Sequence, residues 1–339
     1  MQADHANSRP HSPSLRKAPT VPIQVLPDGQ YLPERQGHRV WWCETGLSGG
    51  APVLVLHGGP GGRTRVAPFS WFDGAPVRCI AFDQRGCGQS TPAGALAHNT
   101  LTDLVDDIEL LRLELRIDAW GVVGGSWGAL VAVAYATAHP QRVTGLFLRS
   151  AFLGSDAEVA RFFEPWAAWL GSEGEAWLGA ASTGPLALLR PGAASPARVA
   201  AAWQAFESVQ AQAGGVHLTP GLHFKPPETA SAEPADTLPS SLAVQAHYLR
   251  QHCFVKPGVV DGWLGGLRDA LATRPVSLVH GLGDAVCHPD VTARLTMHWP
   301  HAKVRWVDAA GHDMDAAAMR QALTEAAREW AAALAPPPA

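Results

Sequence analysis

The 339-residue sequence has no apolar run of membrane-spanning length, no CxxC pairing and few charges. The first absence excludes an integral helical membrane protein, which needs about 20 consecutive apolar residues. The second is read with an odd count of five cysteines (Cys43, Cys79, Cys87, Cys253 and Cys287). Together they argue for reduced, buried thiols and a reducing, cytosolic compartment. Charged residues make up only 17% and the formal net charge is −4, so nothing electrostatic points to nucleic acid as a partner. The polar, Pro-rich opening MQADHANSRPHSPSLRKAPT lacks the apolar stretch of a signal peptide or anchor and reads as part of a flexible tail over residues 1–22. No His, Cys and Asp cluster has metal-ligand spacing, so no metal is expected. What the chain does have is apolar bulk. At 47% hydrophobic it can bury a substantial core, either as one large α/β domain with an insertion or as two domains.

Short apolar runs alternate with helical stretches from about residue 39. Val40 to Glu44, Pro52 to Leu56, Val77 to Phe82, Trp120 to Val123 and Val143 to Leu148 read as strands between Gly and Pro punctuation. A helix from about Leu101 to Leu115 opens with Thr100 and Asp103 in capping-box spacing, and Trp127 to His139 is a second helix. The alternation stops near Ser150 and resumes with VSLVH at Val276. A helix follows around Val291 to His298, then a strand at Lys303 to Val307, a helix from about Ala316 to Leu334 and a frayed APPPA end. Strand–helix–strand repetition predicts an α/β fold, a mostly parallel sheet with helices on both faces, formed by residues 23–150 and 273–335. Residues 151–272 read as an inserted helical cap, with helices near Asp156 to Leu170 and Pro196 to Ala213 and a Pro-rich, loop-like stretch from Gly214 to Ser240. Such a cap would lie over the sheet's C-terminal edge, where open α/β folds bind ligands.

Two segments match G-x-S-x-G, and context separates them. Ser48 in Gly46–Gly50 sits between two strands with no helix behind it, which suggests a hairpin turn. Ser126 in Gly124–Gly128 follows the strand AWGVVG and precedes the helix WGALVAVAYATAH. That is the strand–turn–helix a nucleophile elbow needs to expose a serine Oγ at a helix N-terminus. The run His57-Gly58-Gly59-Pro60-Gly61-Gly62 directly after PVLVL matches the loop with which lipases and esterases aim a backbone N–H at a developing oxyanion. The expected donors are the N–H groups of Gly59 and Trp127, with His57 a structural residue positioning the loop. A phosphate-cradling loop is disfavoured, since neither GK[ST] nor GxGxxG spacing is present. An acid and then a histidine should follow the serine in chain order. Asp284 in GLGD after VSLVH, and His312 in DAAGH after KVRWV, each lie on a loop at the end of a strand. His312 would take the Ser126 proton while Asp284 holds its tautomer and stabilises the imidazolium. Asp290 and Asp308 are weaker acids, the first having a helix-capping explanation. His298 and His301 read as surface residues.

HGGPGG, DQRGCGQS from Asp83 to Ser90 and GGSWG from Gly124 to Gly128, in this order and spacing, make the sequence resemble the proline iminopeptidases (prolyl aminopeptidases) of the α/β-hydrolase fold. The likeness runs from about residue 33 to the C-terminus and is weakest in the middle of the insertion. It implies a serine aminopeptidase that removes N-terminal proline, or a small apolar residue, from short peptides through an acyl-enzyme and without a cofactor. It also implies that two cap glutamates bind the substrate's α-ammonium. AWQAFE places Glu207 at the first; VQAHY places Gln245 where the second glutamate is expected. The amide suggests weaker amine recognition than in relatives with both acids. Asp83 and Arg85 read as an ion-paired, loop-fixing segment. The competing readings are an esterase or amidase with relaxed demand for a free amine and a non-catalytic ligand-binding member of the fold. The intact Ser, Asp, His and oxyanion-loop set argues against the latter, and Ser rather than Asp at the elbow argues against dehalogenase chemistry.

Overall fold

The computed structural model describes residues 25–181, 184–190, 192–212, 214, 223–226 and 238–334. The expected tail over 1–22, most of the loop-like stretch between 214 and 240, and the APPPA end lie outside the described residues.

Eight strands among the described residues form one sheet. They are β1 Gly29–Tyr31, β2 Trp41–Gly46, β3 Ala51–Leu56, β4 Val77–Phe82, β5 Trp120–Ser126, β6 Val143–Ala151, β7 Val276–Gly281 and β8 Lys303–Val307. The order is β1-β2-β4-β3-β5-β6-β7-β8; β1 and β2 run antiparallel to their neighbours and the other pairs are parallel. This corrects the hairpin expected at Ser48. Strands β2 and β3 do not pair with each other; β4 lies between them, so Ser48 is an exposed turn residue on a crossing connection.

Parallel strands buried on both faces explain the continuous apolar runs. Along β3, Leu54 and Leu56 face one core while Val53 and Val55 face the other, and on β5 Val122 and Val123 divide the same way. That period of two places each side chain without further instruction. The first face is covered by α2 Leu101–Glu114 and α3 Trp127–Ala138, the second by α1 Ala67–Ser70 and α11 Ala317–Ala333. α2 opens with the capping box its sequence spells: the Thr100 hydroxyl oxygen accepts the Asp103 N–H, and Asp103 reaches back to the Thr100 N–H.

Between β6 and β7 lie α4 Asp156–Phe163, α5 Trp166–Leu178, α6 Pro185–Leu188, α7 Pro196–Gln210, α8 Ser240–Arg250 and α9 Val259–Leu271. The single helix expected near Asp156 to Leu170 is two, because Pro165 stands at the start of α5 and cannot continue α4. Trp166, Trp169, Trp203, Phe206 and Phe224 form an apolar cluster of their own here, with Trp177 packed against it, whereas Trp263 of α9 packs against the main core. The expected 151–272 insertion extends over α9, yet Val260, Leu264, Leu267 and Leu271 of α9 pack into the main core with α3. α8 bridges the two cores. Its Leu242 and Ala246 join the tryptophan cluster, while Val244 and Tyr248 join the main one. α10 Asp290–His298 precedes β8.

Candidate active site

Ser126 ends β5 and begins the turn into α3 with φ 55° and ψ −126°, a conformation that a non-glycine residue holds only when its surroundings over-determine it. Close packing supplies that constraint. A Cβ on Gly124 would collide with the Gly128 carbonyl, and one on Gly128 would sit 2.5 Å from the Leu56 carbonyl oxygen. Ser126 Oγ lies 3.7 Å from the Sγ of Cys287. His312 Nδ1 faces Asp284 Oδ2 at 2.8 Å. The other carboxylate oxygen, Oδ1, accepts the backbone N–H groups of Val286 and Cys287, both at 2.9 Å. Asp284 therefore shapes the loop that carries Cys287 to the serine and at the same time holds the imidazole. Among the hydrogen bonds of the described residues, Ser126 Oγ is engaged with Cys287 and not with His312, as in resting hydrolases whose proton-transfer bond tightens only with substrate. Asp308 is exposed and Asp290 lies in the first turn of α10.

Burial alone would raise the Asp284 carboxyl, but the His312 imidazolium and its hydrogen bond, with the nearby His280 and the Cys287 N–H, outweigh it and hold the pKa at about 2. Folding thus favours the ionised form. The resulting stability, about 2 kcal/mol, is fully present above the unfolded carboxyl value of about 4 and is lost as pH falls through about 2. Chemical unfolding followed between pH 5 and pH 2 should show wild type losing stability more steeply than Asp284→Asn. Coincident slopes would show that the pair contributes nothing.

The HGGPGG loop is held by one side chain that the motif reading passed over. Gln84 donates its backbone N–H to His57 Nε2 at 3.0 Å and its amide N–H to the His57 carbonyl at 3.0 Å; its Oε1 accepts the Trp127 indole N–H at 2.8 Å. Because His57 Nε2 is an acceptor, the ring is neutral with its proton on Nδ1, beside the Gly58 carbonyl at 2.8 Å. Burial lowers the His57 pKa, with Asp83 opposing, which agrees with that tautomer. Gln84 thus couples the loop carrying Gly59 to Trp127, the residue after Ser126. Gln84→Met should strand the His57 carbonyl and the Trp127 N–H, costing about 2–3 kcal/mol in unfolding free energy. Unchanged thermal stability in that variant would refute the clamp.

The neighbouring DQRG residues fix the loop as expected, but with different partners for each. Asp83 takes the Thr64 N–H at 2.6 Å and the Gln89 N–H at 2.8 Å, and the ion pair is Arg85 with Asp107 (2.6 and 2.7 Å). Two further residues absent from the motif reading hold Asp284 and His312. Buried Arg149 at the end of β6 donates from Nη1 to the His312 carbonyl at 2.9 Å, and burial lowers its pKa against the pull of Asp284. Buried His280 on β7 donates from Nε2 to the Cys287 carbonyl at 2.8 Å while Nδ1 accepts from the Thr292 hydroxyl at 2.6 Å. Burial lowers its pKa too, so it is a neutral brace for the Asp284 loop. Only the third dimension brings these two residues to the site.

A cleft of about 460 Å³ opens onto Ser126 from the side of the inserted helices. Its walls are largely apolar, from Pro60, Phe152, Val159, Phe162, Phe163, Leu249 and Val286, with Gly59 and Cys287 beside the serine. Glu207 and Gln245, placed on different helices, both reach it, and so does Glu158 of α4. Glu207 Oε1 accepts the Gln245 amide N–H at 2.5 Å and the Trp203 indole N–H at 2.9 Å. Burial raises the Glu207 pKa, against those two donors. α8 is seated directly on the HGGPGG loop, since a Cβ on Gly61 would collide with the Ser241 carbonyl. The edge-tilted contact of Trp127 with Tyr248, centroids 4.7 Å apart, fixes the same helix to the elbow.

This geometry agrees with the comparisons with known proteins. Residues 51–314 match the α/β-hydrolase fold family. A probable proline iminopeptidase of Leptolyngbya boryana is 34% identical over 313 residues, covering 89% of this chain and 93% of that protein. The proline iminopeptidase of Xylella fastidiosa (strain Temecula1) is 35% identical over 280 residues, covering 81% and 87%. Among solved structures, a proline iminopeptidase-related protein from Thermus thermophilus superposes with a TM-score of 0.57 at 25% identity, covering 91% of this chain and 98% of that one. An esterase from a Rhodococcus species shares the fold with a TM-score of 0.58 at 18% identity, covering 91% and 99%. By sequence, fold and site architecture together, the chain belongs to the proline iminopeptidases of the α/β-hydrolase superfamily.

Proposed function

We propose that the protein is a serine aminopeptidase that releases N-terminal proline, or a small apolar residue, from short peptides through an acyl-enzyme on Ser126. His312 takes the hydroxyl proton and returns it to the leaving amine, Asp284 keeps Nδ1 protonated and steadies the imidazolium, and the Gly59 and Trp127 N–H groups receive the oxyanion. The inserted helices form the cap over the substrate. Five buried, unpaired thiols fit a reducing, cytosolic compartment.

The observation that carries the reading is the Glu207 carboxylate, desolvated in the cleft that Ser126 opens into. An apolar pocket suits a pyrrolidine ring, but a carboxylate desolvated inside one stays costly even with the Gln245 and Trp203 donors on Oε1, and a cation offsets that cost. A substrate α-ammonium is such a cation, and its fixed distance from the scissile carbonyl makes the enzyme an aminopeptidase.

Glu207→Gln should therefore lower kcat/KM for proline p-nitroanilide by about a hundredfold while a p-nitrophenyl ester loses little. Equal losses on both substrates would put the esterase or amidase reading ahead. Because the Glu207 pKa is raised, the wild-type preference for the free amine over the ester should fade as pH drops through a value above the ordinary carboxylate range. A preference persisting well below that range would show that another group reads the amine.

A further inference from the structure

The resemblance supplies two glutamates for the ammonium, and Gln245 removes one. A single carboxylate with an amide can neutralise a cation but leaves no net negative field to draw it out of water. The cleft nevertheless contains a second carboxylate. Glu158 lines it with Glu207, Gln245 and Ser126.

Glu158 is the third residue of α4 and closes a capping box: Oε1 accepts the Leu153 N–H at 2.9 Å, and Oε2 accepts the Ser155 N–H at 2.9 Å and the Ser155 hydroxyl at 2.6 Å. Three donors of this kind hold the carboxylate in one place, so it is a fixed group and not a waving side chain. The capping duty does not exhaust it, because each carboxylate oxygen has two lone pairs and Oε1 uses one here. Its field also reaches the nucleophile's surroundings. Burial first, then Asp284 and Glu158, hold the Cys287 thiol well above its ordinary range, and Cys287 touches Ser126.

We infer that Glu158 is a specificity-determining residue: it supplies the second negative charge of the α-ammonium subsite, the one Gln245 no longer provides. The inference rests on the aminopeptidase reading. Gln245 itself serves Glu207, donating to it and so lowering the cost of its burial. When the ammonium binds, it meets two carboxylates held apart on different helices, α4 and α7.

The test separates charge from cap. Glutamine is accepted at the third position of a capping box, so Glu158→Gln keeps the helix start while removing the charge. Ser155→Ala does the reverse. Glu158→Gln should lower kcat/KM for proline p-nitroanilide by about tenfold, mostly through KM, with p-nitrophenyl ester turnover nearly unchanged. Ser155→Ala should lower the unfolding temperature and shift the amine-to-ester ratio far less than Glu158→Gln, because the Leu153 and Ser155 N–H groups still hold the carboxylate. Adding Gln245→Glu to Glu158→Gln should recover much of the lost amine preference. Equal effects of Glu158→Gln on both substrates, or a ratio shifted as much by Ser155→Ala, would overturn the inference and leave only the cap. A wild type with no preference for the free amine would instead sink the aminopeptidase reading on which it rests.

Discussion

Ser126→Ala should abolish nearly all turnover, by about 10³- to 10⁶-fold in kcat, with the fold intact. Alanine keeps the Cβ and so inherits the same backbone at φ 55°, which means the loss reports the missing hydroxyl and not a relaxed elbow. The neighbouring Cys287 thiol cannot substitute. Burial keeps it protonated, and a neutral thiol is a poor nucleophile. Ser48→Ala is the matched control, because Ser48 is exposed in the turn between β2 and β3. Kinetics of both variants on one substrate, with labelling by an organophosphonate, decide the matter. Near-normal turnover in Ser126→Ala, or phosphonate on Ser48, would show that the elbow has been misassigned.

The second large effect concerns the base and its orienting acid. His312→Ala should cost about as much as Ser126→Ala, since the triad works as a unit. Asp284→Asn should slow turnover by about 10⁴-fold while substrate still binds. An asparagine oxygen can go on accepting the Val286 and Cys287 N–H groups, so the loop persists. Its amide nitrogen, however, would oppose the His312 Nδ1 proton. The ring would then shift its proton to Nε2, the atom that must accept from serine. Asp308→Asn, on an exposed loop residue, should be nearly silent. Full activity in Asp284→Asn beside a dead Asp308→Asn would move the acid to Asp308.

How much of the site was legible in sequence depended on the range of the forces involved. The elbow could be read because strand, tight turn and helix are neighbours in the chain, and Gly124 and Gly128 announce the close approach of backbones. The pairing of Asp284 with His312 could be read because both follow strand ends, and strand ends at one edge of a parallel sheet converge. The cap of α2 could be read because it is a four-residue hydrogen-bond pattern. Glu158 shows the limit of such reading. Its Ser155-x-x-Glu158 spacing is fully explained as a helix start, so nothing local marks the residue as part of a ligand cleft.

Other misreadings have the same origin. Ser48 looked like a hairpin because β2 and β3 are consecutive, but strand order is set by which strand edges hydrogen-bond in the assembled sheet, and β4 pairs with both. α9 read as part of the insertion by position, whereas its Leu264, Leu267 and Leu271 are buried against the main core. Gln84, Arg149 and His280 each sit in or beside a strand, and a strand pattern distinguishes inward from outward without naming a partner.

By itself, then, the sequence determined the class of fold and the family, and it singled out Ser126, Asp284 and His312 as the candidate triad and Glu207 and Gln245 as the candidate amine site. Each of these follows from hydrophobic period, turn chemistry or chain order, which act over a few residues, or from the family likeness those residues carry. The tertiary structure alone decided which side chains brace Asp284 and His312, that Gln84 ties the HGGPGG loop to the elbow, and that two carboxylates on separate helices line one apolar cleft. Those arrangements are set by packing between segments tens to hundreds of residues apart, where burial strips the solvent that would otherwise screen a charge and makes its position count.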